Sequence, residues 1–275
     1  MSKGLLLICI GHHYYGKMAA ALAATIRACS DIPIALVCDR ISLSDISESE
    51  KKLFQLIPIV NEGYALRNKL CLFELSPFDE TLYLDVDMAW FGRDPLELFT
   101  DTDFNMKNYG STLLDKAENN TKAWANFTEI SVIYGLGSKL NFHLSSEVIY
   151  FKKTDRVKEL FEKAKQVYDN PKITYRTFAG YMADELAFSI AMMQTDVYPQ
   201  EKWEPVYWRQ TNTAKCFIPS LRETYYGISM GGIRATDVEQ QIYNNLVSAA
   251  YYKLGMVHPH KWVNKNRFLN DRKKI

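Results

Sequence analysis

The stretch Thr81-Leu82-Tyr83-Leu84-Asp85-Val86-Asp87-Met88-Ala89-Trp90 decides how this chain is read. It is an apolar run of strand-forming residues that delivers two carboxylates one residue apart. In a strand, positions i and i+2 point to the same face, so Asp85 and Asp87 are predicted to converge on one spot. Two like charges held close repel, and a cation between them relieves the conflict. Oxygen-only ligands at a strand end suit a hard divalent ion, Mg²⁺ or Mn²⁺, which keeps open positions for phosphate oxygens. The pair reads as a candidate metal-diphosphate site. Two solvated acids at the start of a loop are the alternative.

The residues upstream alternate in the α/β manner. Leu5–Ile10 is a continuous apolar run, suited to a strand buried on both faces. Gly16 to Cys29 is alanine-rich and helical. Ile32 to Cys38 is a second strand ending at Asp39. Ser44 to Leu56 reads as a polar helix stopped by Pro58, residues 64–75 as helical, Ser76-Pro77-Phe78-Asp79 as a turn and Thr81–Val86 as a further strand. Such alternation predicts an α/β fold with a mostly parallel sheet flanked by helices, whose ligands lie beyond the carboxyl ends of the strands. Gly11, Asp39 and Asp85 all fall at such ends.

Downstream the pattern is less regular. Residues 101–142 read as loop, short helix and edge strands, and Glu147–Phe151 as a strand. Arg156 to Tyr168 is an amphipathic helix, apolar at Val157, Leu160, Phe161, Ala164 and Val167. Ala183 to Met193 is helical. Thr236-x-x-Glu239 is a capping box opening a helix to Leu254, with Gly255 as its stop. No repeat or linker divides the 275 residues, so a single domain over 1–275 is expected.

Hydrophobic residues make up 47% and charged residues 24%, enough for a large core and too apolar for general disorder. The formal net charge of +1 is unevenly placed. From Lys253 onward seven basic residues face one acid, Asp271, while the preceding body carries 26 basic and 31 acidic residues. A basic tail on an acidic body points to an anionic contact, such as phosphates, nucleic acid or a membrane surface; a frayed, solvated end is the plain alternative. The five cysteines have no Cys-x-x-Cys spacing and sit mostly in apolar runs, as small hydrophobes do in a reducing compartment. With no apolar run long enough for a signal core or a membrane span, a cytoplasmic protein is expected.

Taken in order, the chain carries an aromatic first loop, Asp39, Lys69, the Asp85–Asp87 pair, His143 to Thr154, Ala-Asp-Glu-Leu-Ala-Phe at 183–188 and His258-Pro259-His260-Lys261-Trp262. This resembles the GT-A glycosyltransferases of the glycogenin and lipopolysaccharide galactosyltransferase type. The closest stretch is Lys69 to Phe91, which looks like that family's Lys…Leu-Ser-Pro-(Phe/Tyr)-Asp…Leu-Tyr-Leu-Asp-x-Asp block. The resemblance implies a nucleotide-sugar donor, usually UDP-linked, a divalent metal and transfer with retention. It implies that Asp85 touches donor ribose and metal, that Asp87 binds metal, and that Asp39 faces the base with Tyr14 or Tyr15 stacking on it. Lys69 would lie near the donor sugar or phosphates, Ser145 and Ser146 beneath the acceptor, and Asp184 and Glu185 beside the reacting carbon. His258 would be the third metal ligand and Lys261 would meet the leaving diphosphate. Residues 1–100 would then be the donor half and 101–275 the acceptor half. The chain departs from the family in three places. The His258 to Trp262 motif is compressed, so His260 is an alternative ligand; Ser145-Ser146-Glu147 replaces Asn-Ser-Gly; and Met88 replaces a small hydroxyl residue.

Each of these side chains has a plainer role open to it: first-turn acids favoured by the helix dipole for Asp184 and Glu185, a solvated helix position for Lys69, packing for Tyr14 and Tyr15. Other functions compete as well. Gly11-His-His-Tyr-Tyr-Gly16-Lys17-Met18 nearly matches a phosphate-binding P-loop, but Met18 lacks the metal-binding hydroxyl. A phosphatase using Asp85 and Asp87 would want a hydroxyl where Ala89 stands. A module that binds a sugar nucleotide without turning it over is the remaining alternative. The acceptor stays open among a glycan, a protein, a lipid-linked glycan and a nucleic-acid base.

Overall fold

The structure, a computed structural model, describes residues 1–11, 13–55, 57, 65–113, 124–178, 180–207, 218–230 and 237–257. The first apolar run forms β1 (Lys3–Cys9), buried from Gly4 onward. α1 (His13–Arg27) follows and starts earlier than Gly16, the residue at which the alanine-rich pattern begins. β2 (Ile34–Cys38) is buried at every position. Strands with no solvated face show no polar alternation, so these runs look continuous in sequence.

The single helix predicted over 44–56 is instead two short ones, α2 (Arg40–Ser44) and α3 (Glu48–Lys51). Asp39 caps the first, and Ser47 with Glu50 forms a capping box on the second. A capping residue has extended backbone, so Ser47 cannot sit inside a helix, and the run divides there. Residues 64–75 divide likewise, into α4 (Ala65–Lys69) and α5 (Leu72–Leu75).

β3 (Glu80–Leu84) is wholly buried and ends before the acid pair, and β4 (Met88–Trp90) begins just after it. β5 (Phe104–Leu113) and β6 (Leu140–Lys152) are far longer than the edge strands expected over 101–142. They pair antiparallel from Phe104 opposite Phe151 to Leu113 opposite Leu140, with register shifts on either side of Asn108. Asn105, Lys107 and Asn108 are buried on β5. Asn108 Nδ2 donates to the Met106 and Gln200 carbonyl oxygens, and Lys107 Nζ to Glu147. Polar residues satisfied in this way break the alternation by which a strand is recognised.

Between those strands lies α6 (Phe127–Tyr134), capped by Asn126. α7 (Asp155–Asp169) buries Val157, Leu160, Phe161, Ala164 and Val167, as the pattern predicts. It packs on α8 (Asp184–Thr195), where Phe161 meets Phe188 edge-on at 5.4 Å between ring centres. β7 (Thr177–Phe178) and β8 (Tyr181–Met182) form a small hairpin leading into α8. β9 (Val206–Tyr207), α9 (Ile218–Thr224), β10 (Gly227–Ser229) and α10 (Asp237–Lys253) complete the chain. Thr236, the expected first member of a capping box, lies outside the described residues. Gly255 stops the helix with φ +66°, a left-handed backbone that suits glycine.

The main sheet has the order β2-β1-β3-β6-β5 and is mixed, because β5 runs antiparallel to β6. A second sheet has the order β4-β10-β9. The residues group into two compact units, each assembled from separated segments. The first comprises Met1–Leu6, Asn61–Tyr83 and Phe99–Glu204; the second comprises Leu7–Val60, Leu84–Leu98 and Pro205–Ile275. No helix among the described residues is long and apolar enough to cross a membrane.

Candidate active site

Asp85, Val86 and Asp87 occupy the bend where the chain leaves β3 for β4, rather than the strand itself. The strand alternation nevertheless survives in the burial: Val86 is buried, and the two aspartates on either side of it stay partly open. The bend is anchored on its far side, where the Met230 amide donates to the Asp87 carbonyl oxygen at 2.8 Å. Beyond it, Met88 pairs with Ser229 of β10 and is fully buried. Tyr243 of α10 is buried close to both Asp87 and Tyr14; burial pushes its phenol up, and the charge of Asp87 adds to the shift.

Two carboxylates that remain accessible beside a buried residue are a hard, oxygen-only donor set, which fits Mg²⁺ or Mn²⁺. No cluster of three or more His, Cys, Asp or Glu able to hold a metal occurs among the described residues. His258, the alternative His260 and Lys261 lie outside them, as does most of the basic tail.

Asp39 is buried and holds the strand-end turns together. Its Oδ1 accepts from the Ser42 amide at 2.7 Å and its Oδ2 from the Gly11 amide at 2.7 Å. Burial pushes the carboxyl up, but the amides of Ser42 and Gly11 outweigh it and leave the group below the usual carboxylate range. Tyr14 and Tyr15 sit half-buried in the first turn of α1. Because α1 starts at His13, most of the supposed P-loop is helical. Gly16 has a packing reason instead: a Cβ there would lie 2.0 Å from the Ser42 carbonyl oxygen of α2. Lys17 is paired with Asp45 at 3.3 Å.

The remaining expected residues gather in the first unit. Lys69 is buried at the end of α4, with Nζ 3.0 Å from Ser146 Oγ and 3.9 Å from Asp184 Oδ2. The same ammonium lies 5.7 Å from the centre of the Tyr83 ring. Ser146 Oγ donates to Glu185 Oε1 at 3.3 Å. Asp184 and Glu185 open α8, with no side-chain cap before them. Asp184 is buried, whereas Glu185 keeps part of its surface open. Burial pushes the Glu185 carboxyl up, Asp184 pushes it further, and Lys69 opposes both.

Several neighbours of this cluster carry no local signal in the sequence. Tyr109 of β5 is held near Ser145; burial pushes its phenol up, with the charges of Glu147, Glu204 and Glu185 adding to the effect. Tyr168 of α7 is pushed up to about 12 by burial and by Asp184. Lys107, with no exposed side-chain surface, pairs with Glu147 at 2.7 Å.

This architecture is that of solved glycosyltransferases. WbbM, a bifunctional glycosyltransferase in its apo form, aligns with TM-score 0.57 at 11% identity over 92% of this chain and 51% of its own. This chain therefore spans about half the length of that protein. The galactosyltransferase LgtC, in complex with donor and acceptor sugar analogues, aligns with TM-score 0.51 at 11% identity over 90% of this chain and 95% of its own. The chain has a GT-A-type glycosyltransferase fold. No protein-family profile matches the sequence, and no curated protein matches it. Within the GT-A fold, Tyr14, Tyr15, Asp39, Asp85 and Asp87 belong to the second unit, and Lys69, Ser145, Ser146, Asp184 and Glu185 to the first.

Proposed function

We propose that the chain is a metal-dependent glycosyltransferase that moves a sugar, with retention, from a UDP-linked donor to an acceptor. The observation that carries this reading is the partly open Asp85 and Asp87 flanking buried Val86, on a GT-A fold. Asp85, Asp87 and His258 would hold the divalent cation, with His260 as the alternative third ligand. A bound cation of this kind supplies positive charge against the departing diphosphate.

The chain's own residues do the rest. Lys261 adds a second positive charge at the diphosphate, and Tyr14 or Tyr15 stacks on the base. Asp39 holds the turns from which that surface is built. Lys69 carries positive charge towards the donor sugar, and Ser145 and Ser146 lie beneath the acceptor. Positive charge develops on the sugar as the glycosidic bond breaks, and the acid pair Asp184 and Glu185 stabilises it. The basic C-terminal tail would bring a polyanionic partner to the protein, and the cytoplasm supplies the nucleotide sugar and keeps the thiols reduced.

The test is a panel of nucleotide sugars with and without Mn²⁺, read as slow donor hydrolysis and as thermal stabilisation. Stabilisation by UDP or a UDP-sugar only when metal is present is expected. Equal stabilisation without metal, or none by any nucleoside diphosphate, would overturn the reading.

A further inference from the structure

Lys69 fixes the direction of each hydrogen bond that leaves it, because an ammonium can only donate. Its Nζ donates to Ser146 Oγ at 3.0 Å and to the Ser146 carbonyl oxygen at 3.4 Å. The serine hydroxyl, having accepted from Lys69, turns its own proton to Glu185 Oε1, 3.3 Å away. Oε1 is thereby used as an acceptor, and a proton on Glu185 belongs on Oε2. Asp184, the preceding residue, lies within hydrogen-bond reach of Glu185 and has Lys69 as its ion-pair partner. Burial first and then the neighbouring Asp184 favour the protonated form of Glu185, against the opposing charge of Lys69.

We propose that Lys69 and Ser146 are positioning residues for the acid pair, orienting Glu185 with Oε1 held by the Ser146 hydroxyl and its proton on Oε2. The proposal deepens the transferase reading and rests on it for the sugar, while the orientation of Glu185 stands on the hydrogen bonds from Lys69 to Ser146 and from Ser146 to Glu185. Lys69 from α4, Ser146 from β6, Tyr109 from β5 and Tyr168 from α7 act on the pair. Among these four, Lys69 brings the full positive charge.

The experiment is a carboxyl titration by NMR on the full chain, ¹³C-labelled at Asp and Glu and free of ligand, with Glu185→Gln assigning the signal. In the unsubstituted protein, Glu185 is expected to titrate well above the ordinary carboxylate range. Ser146→Ala removes a donor to the carboxylate and should raise that midpoint by roughly one pH unit. Ser146→Thr keeps a hydroxyl and should restore it. Lys69→Met should raise it by at least as much. Should Lys69→Met fail to fold, the Ser146 series decides the matter alone. The same midpoint in the unsubstituted protein and in folded Ser146→Ala overturns the proposal. Donor hydrolysis measured in parallel separates the two claims: a serine-dependent midpoint without any hydrolysis keeps the proton arrangement and rejects the transferase.

Discussion

The Gly11 amide donates to the Asp39 carboxylate at 2.7 Å, joining two strand-end turns separated by 28 positions in the chain. With its other oxygen on the Ser42 amide, Asp39 is both a helix cap and a clasp between the β1–α1 and β2–α2 turns. Asp39→Ala would leave two amides without their partner and should cost about 2–3 kcal/mol of stability. Asp39→Asn keeps one good acceptor and should cost roughly half as much. Because the amides hold the folded carboxyl below its ordinary value of 3.8, the clasp is fully formed above that pH and is lost as pH falls through the lower folded value. Urea midpoints across the acid range should fall more steeply for the unsubstituted protein than for Asp39→Asn.

Asp87 tests the donor site more directly. Its carboxylate is partly open, and its carbonyl oxygen accepts from the Met230 amide, a bond that Asp87→Ala keeps. Asp87→Ala should lower metal-dependent UDP affinity at least tenfold, about 1.4 kcal/mol. Calorimetric titration of UDP with and without Mn²⁺ measures this. Unaltered affinity in the folded variant would remove Asp87 from the site.

How much could be read from the chain depended on whether a feature is local. β1, β2, β3 and α7 announce themselves because their buried residues are contiguous or regularly spaced. The acid pair was legible for the same reason, since alternation about Val86 is a three-residue pattern. β5 was not, because buried Asn105, Lys107 and Asn108 interrupt it and find their partners elsewhere on the chain. The β4-β10-β9 sheet joins strands of two or three residues from distant segments, too short for any periodicity. The Lys69–Ser146 contact spans 77 positions, so no spacing rule could place the ammonium on that serine.

Glu185 gives the protein a pH dependence of defined sign. Its folded carboxyl is pushed up to about 8 from an ordinary 4.5, first by burial and then by Asp184. A proton held more tightly in the folded state means stability declines as pH climbs through that window. The unsubstituted protein should weaken between roughly pH 5 and pH 8, while Glu185→Gln, with no proton to lose, should show a flatter profile. Urea midpoints at several pH values check the slope. Equal slopes in the two proteins would mean that Glu185 ionises as an ordinary carboxyl.

Lys107 and Glu147 form a deeply set ion pair, with side-chain exposures of 0% and 12%. The ammonium is shielded from water, with Glu147 as its counter-ion and the face of the Tyr109 ring 5.5 Å away. Glu147→Ala should destabilise the protein by about 3–5 kcal/mol, because it takes the counter-ion from a buried charge. Replacing both partners, as Lys107→Met with Glu147→Leu, removes the charge along with its counter-ion and should recover most of that loss. A double-mutant cycle in urea distinguishes this from simple packing: if the losses of the two single variants add in the double variant, the pair contributes shape rather than charge. Since Glu147 stands where the resembling family has glycine, the same double variant also asks whether this carboxylate shapes acceptor choice. Recovered stability with a changed acceptor preference would assign Glu147 to recognition rather than to folding.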